Sequence, residues 1–88
     1  MIEEIDETTV GDLDGVRVPM ANVTHGEYAL PDGSIRRGDM CILVLPDTNG
    51  GVFVGAGSEV EVEGVRWRVL SVDNPPDDCG SVRLERMG

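Results

Sequence analysis

His25 is the only histidine in the chain, and Glu27 stands two residues beyond it. An imidazole beside a carboxylate can serve as a general base or hold a metal. No nucleophile motif flanks the pair, and a surface loop position accounts for it. Cys41 and Cys79 add two thiols. With His25 they would make three metal ligands, but they match no ligand spacing. Cys41 also lies in an apolar stretch, where a thiol packs as a small hydrophobe. Asp73, Asp77 and Asp78 cluster around Pro75 and Pro76. Clustered carboxylates can hold Ca²⁺, yet the EF-hand spacing is absent, and solvated loop acids explain them. Glycines at 50, 51, 55 and 57 suggest a phosphate cradle, but no Lys-Ser/Thr pair and no helix follow. Trp67, the one tryptophan, stands among valines and reads as a core anchor. Nothing assembles nucleophile, base and oxyanion donors. The expectation is a protein with no catalytic residue, no metal and no cofactor.

The elements that would position these groups are short. Val16, Val18 and Met20 alternate with Arg17 and Pro19, a period-2 strand whose proline favours an edge. Residues 27–30 lead into Pro31, Asp32, Gly33 and Ser34, a turn with its usual Pro and Gly. Met40 to Leu45 are six apolar residues in a row, the length of a strand buried on both faces. The stretch 46–57 reads as a glycine-rich loop around the apolar triplet Val52, Phe53 and Val54.

The strongest local pattern is at 59–69. A turn at Glu63 and Gly64 pairs 62 with 65, 61 with 66, 60 with 67 and 59 with 68. One face then holds Val60, Val62, Val65, Trp67 and Val69; the other sets Glu59 against Arg68 and Glu61 against Arg66. A one-residue slip would put glutamates in the core, so the pattern specifies this register. Glutamate is a mediocre first residue for a type I′ turn, which leaves a longer, bulged turn open. Residues 81–86 alternate again. The sum is an all-β fold, a small antiparallel barrel or sandwich of five to six strands.

Residues 1–14 carry Glu3, Glu4, Asp6, Glu7, Asp12 and Asp14 with no base. They read as an acidic N-terminal arm outside a β-barrel domain at 15–88. Ile2, Ile5 and Val10 are its candidate anchors for assembly, and disorder in the free subunit is expected.

Composition narrows the function. The chain has 88 residues, seventeen acids, seven bases and a net charge of −10. All the bases are arginine. A duplex reader needs a basic patch to displace counterions, so sequence-specific DNA binding is not expected. Abundant acids, absent lysine and few aromatics resemble proteins of extreme halophiles. Two thiols make no disulfide framework. No signal-peptide run is seen, nor a stretch near the ~20 apolar residues of a membrane span. Synthesis in a reducing host cytoplasm is expected.

The order from residue 33 onward resembles a known family. Ile35, Arg36, Arg37, Gly38 and Asp39 lead to the apolar strand 40–45. The hairpin at 60–69 follows, then an Asp/Pro/Gly loop and the closing strand 81–86. This is similar to the small β-barrel proteins of tailed viruses that join head to tail, the head-completion or stopper family, and many SH3-like barrels share the hairpin. The resemblance implies an SH3-like or head-closure type of barrel and a structural virion role at the neck. Such proteins form a ring, commonly of six copies, below the portal and its adaptor. They close the DNA channel and offer a platform to a tail terminator or tail-tube protein, with DNA passing through unread. In such a ring Val52, Phe53 and Val54 would form a channel loop, although a short barrel strand there is the competing reading. The alternative function is another virion assembly part or an SH3-like interaction module. The acid excess would fit a virus of a halophilic archaeon.

Overall fold

The computed structural model describes residues 1–7, 9–46, 51–77 and 79–87. Eight strands follow in order: β1 (Ile2–Asp6), β2 (Val10–Leu13), β3 (Val16–Ala29), β4 (Ile35–Leu43), β5 (Val52–Gly55), β6 (Glu59–Val62), β7 (Val65–Asp73) and β8 (Ser81–Arg86). They form two antiparallel four-stranded sheets, ordered β1-β8-β7-β6 and β2-β3-β4-β5. The all-β expectation holds. Among the described residues the count is eight strands rather than five to six, and the two sheets do not close into a barrel. The architecture is compatible with a small sandwich.

The inward faces of both sheets supply one core. Trp67, Val69, Leu84 and Ile5 of the first sheet cluster with Val18 and Leu43 of the second. Aliphatic side chains dominate it, and burying each one fully stabilises the fold by about 1.5–3 kcal/mol. Trp67 is fully buried, as its place among the valines predicts. Its indole Nε1 finds no acceptor among the described residues.

The hairpin at 59–69 has the expected register, Glu59 opposite Arg68 through Val62 opposite Val65. Glu63 and Gly64 have φ of 51° and 80°, so the connection is two residues long with both in the left-handed region, as a type I′ turn requires. Glu59 lies 3.9 Å from Arg68 and 4.0 Å from Arg66.

The N-terminal residues depart from expectation. The first fourteen are not an arm outside the domain: β1 pairs with β8, and β2 pairs with β3. The large desolvation cost of burying carboxylates is avoided, because only Ile5 and Leu13 turn fully inward. Glu4 instead faces Arg83 across the β1–β8 ladder. Glu7 fastens the end of β1: its amide donates to Gly80 C=O at 2.9 Å, and its carboxylate accepts from Gly80 N–H at 3.0 Å. Asp14 reaches Arg86 of the opposite sheet at 3.3 Å. The boundary expected between 14 and 15 is a turn inside a hairpin, with Asp14 at φ 57° and Gly15 at φ 85°.

The apolar run 40–45 is also corrected. Cys41, Leu43 and Leu45 are buried, but Ile42 is only partly covered and Val44 is exposed. One face of this run meets the core and the other does not.

Candidate interaction face

Strand alternation sorts the second sheet into an inner and an outer face. Val18 and Met20 of β3, Cys41 and Leu43 of β4, and Val54 of β5 are buried. Their neighbours Pro19, Ala21, Ile42, Val44 and Phe53 therefore turn outward. Val10 sits directly opposite Pro19, and Val44 continues the ladder by donating its amide to Pro19 C=O at 3.0 Å. Ala21 is opposite Ile42, and Ile42 is opposite Phe53. Two adjoining rows result, Val10–Pro19–Val44 and Ala21–Ile42–Phe53. Val10 and Phe53 are half exposed, at 53% and 52%. The whole patch is uncharged.

The outer face of the first sheet is built the other way. Glu4 faces Arg83, Glu85 faces Arg68, Arg68 faces Glu59, and Arg66 faces Glu61. Opposite charges alternate across the strands, which suits a face kept in water.

Strand β5 is held at its far end. Tyr28 is buried yet lies outside the main core cluster. Its ring covers Gly55 so closely that a Cβ there would collide with it. Its hydroxyl donates to Ala56 C=O at 2.9 Å, and Arg36 donates to the same oxygen at 3.2 Å. Ser58 closes the strand, its Oγ accepting from Gly55 N–H at 3.0 Å. The glycines at 55 and 57 thus serve a tight β5–β6 connection. Gly50 lies outside the described residues.

The remaining candidates are spread out. His25 is exposed, with Nδ1 at 3.4 Å from Asp39. Cys41 is fully buried, and burial first, then the charge of Glu7, pushes its thiol up to about 12. Cys79 is exposed. Asp73 accepts from the Ser81 hydroxyl at 3.3 Å, and Asp78 lies outside the described residues. Among the described residues no three His, Cys, Asp or Glu side chains are grouped to hold a metal ion. No helix there is long and apolar enough to cross a membrane.

The triplet Val52, Phe53 and Val54 is a strand whose members part ways. Val54 is in the core at 1% exposure, Val52 is partly covered, and Phe53 points out. The anchors Ile2, Ile5 and Val10 also divide: Ile5 is core, while Ile2 and Val10 are exposed.

No protein-family model matches the chain, and neither does any curated protein or solved structure.

Sequence reasoning missed two parts of this face. The acids around Val10 hide its place in a strand, although Asp14-Gly15 between apolar residues is a strong hairpin signal. Ile42 and Val44 were assigned to a strand covered on both sides. The uncharged residues on strands flanking β4 were the available sign that its outer side stays open as one patch.

Proposed function

We propose that this chain is an assembly subunit that acts by contact with other proteins and catalyses no reaction. One observation carries the reading. The outer face of the second sheet exposes two adjoining apolar rows on a chain of net charge −10. A contiguous apolar patch rimmed by polar surface marks a contact site rather than a solvated face.

The assembly that the sequence resembles is the neck of a tailed virus. In that reading the chain is a ring subunit below the portal or adaptor, and it presents a platform to a tail terminator or tail-tube protein. The physics of the chain supports it. Ring contacts add stability to a thin-cored domain. Excess carboxylates around a channel repel the DNA backbone, so DNA slides rather than sticks. A kinship with the small SH3-like and head-closure folds belongs to the same proposal.

The test is particle composition. Purified virus particles should contain the chain in several copies each. The double variant Val10→Asp/Val44→Asp alters two exposed side chains, so it should fold normally and be missing from particles. Absence of the unaltered chain from particles overturns the neck reading. Normal incorporation of the double variant overturns the role of this face.

A further inference from the structure

The outward edge of β5 exposes the backbone of a single residue. Gly55 N–H donates to Ser58 Oγ, and Gly55 C=O accepts from Ser58 N–H at 2.9 Å. Both groups of Gly55 therefore point away from β4. In an antiparallel ladder, residues two apart point to the same side, so the N–H and C=O of Phe53 also point away from β4. Among the described residues no hydrogen bond takes them up. The edge ends on both sides of Phe53: Gly51 leaves the extended region at φ 92°, and Gly55 is closed by Ser58.

The other edges differ in charge. The outermost strands of the two sheets are β1, β6, β2 and β5. Strand β1 carries Glu3, Glu4 and Asp6; β6 carries Glu59 and Glu61; β2 carries Asp12. Charged residues on an edge strand deter pairing with another chain. Strand β5 has none.

We propose that the free chain pairs with a second copy of itself through β5, with Phe53 opposite Phe53 about a two-fold axis. Each Phe53 donates its N–H to the other's C=O, so the two second sheets become one continuous sheet. A site with one donor and one acceptor on one residue is complementary to itself, which is what a two-fold contact needs. Two copies of a strongly negative chain meet here without a carboxylate on either pairing strand. The Phe53 side chains fall on the same face as neighbours and cover one another, as cross-strand aromatics do.

The inference rests on reading the chain as an assembly subunit, and it adds an order of events. A two-fold contact closes on itself, whereas ring contacts run head to tail. The pair is the storage form of the subunit; it opens on incorporation and keeps the adhesive edge covered until then.

Solution mass in molar KCl tests the pair. Sedimentation equilibrium should give a concentration-dependent dimer, and Phe53→Asp should be a folded monomer whose melting temperature matches that of the unaltered chain at concentrations too low to pair. In a Cys79→Ser background, Phe53→Cys should form an intermolecular disulfide on mild oxidation, because Cα atoms in such a pair lie about 5.5 Å apart. A dimer that survives Phe53→Asp, or a Phe53→Cys variant that never cross-links, overturns the site. An unaltered chain that stays monomeric overturns self-pairing. The particle test above still decides the assembly reading in that case, so the two failures are separable.

Discussion

The outer faces of the two sheets solve the same problem in opposite ways. Both belong to strands that alternate an inward aliphatic with an outward residue. In the first sheet the outward residues are mostly glutamates and arginines in register, Glu59 and Glu85 each opposite Arg68, with Ile2 and Leu70 exposed beside them. In the second sheet an Asp12–Arg17 pair gives way to an uncharged stretch of Pro19, Ala21, Ile42, Val44 and Phe53. The inward faces differ little, so stability alone does not account for the contrast. What differs is the surface that each sheet offers to the outside. One is hydrated; the other loses little by leaving water.

Deleting residues 1–14 should have the largest effect. It removes one edge strand from each sheet and takes Ile5 and Leu13 out of the core. No cooperative unfolding transition should remain in circular dichroism. A truncated chain that still melts cooperatively would return these residues to the status of an arm.

Trp67→Ala comes next, at about 3–5 kcal/mol for a fully buried aromatic. Denaturant titration would measure it. Trp67→Phe should cost much less than its lost volume suggests, because it also removes an indole N–H that finds no acceptor among the described residues.

The contrast within β5 is sharper. Val54→Ser should lower stability by about 2–4 kcal/mol, since it empties and hydroxylates a core position. Phe53→Ser should change it by less than about 1 kcal/mol, as is usual for exposed sites. If the two variants destabilise equally in thermal melts, Phe53 is a core residue and the outer face is smaller than described.

Salt acts on the charged surface as a whole. At net charge −10, self-repulsion grows when the screening length lengthens from about 3 Å in molar KCl to more than 10 Å below about 0.1 M. Unfolding on dialysis into low salt is the expected result, followed by fluorescence of Trp67. Equal stability in both buffers would separate the acid excess from adaptation to salt.

The smallest effect concerns the thiols. Cys79 should react with a thiol reagent at once and Cys41 only on unfolding. The Cys41 pKa rises from 9.0 to about 12 on folding. Its neutral form is therefore favoured by the fold, and the associated stability is complete below pH 9 and is lost as pH climbs from there toward 12. Cys41→Val should flatten that alkaline decline.

Legibility in the sequence followed the strength of the local pattern. The hairpin at 59–69 is readable to the residue, because five inward positions and two charge pairs agree on one register. The turn at 31–34 was readable too: Asp32 accepts from both the amide and hydroxyl of Ser34, which lowers its pKa. Strand β1 was not readable, since Ile2 and Ile5 are three apart and break alternation. Its partner β8 is remote in sequence, and only that pairing makes it a strand. Strand β3 is legible only at 16–20, because its alternation breaks where the register shifts between Ala21 and Thr24, around Asn22 at φ 53°. The candidate face was half legible. Phe53 stands out in the sequence, but the residues that extend its row, Ile42 and Ala21, come from β4 and β3, and that adjacency is created only by folding.

The pairing of β1 with β8 also sets the timing of folding. Ile5 and Val82 are opposite one another, so the first strand finds its place only when the last has been made. Hairpins such as β6–β7 can close early, but this ladder demands one of the longest loop closures the chain contains. Contacts this distant in sequence slow folding. Until β8 leaves the ribosome, the first sheet lacks both its β8 strand and the β1 strand beyond it, and one side of Trp67 stays uncovered. The acids of residues 3–14 meanwhile keep this part of the unpaired chain strongly hydrated.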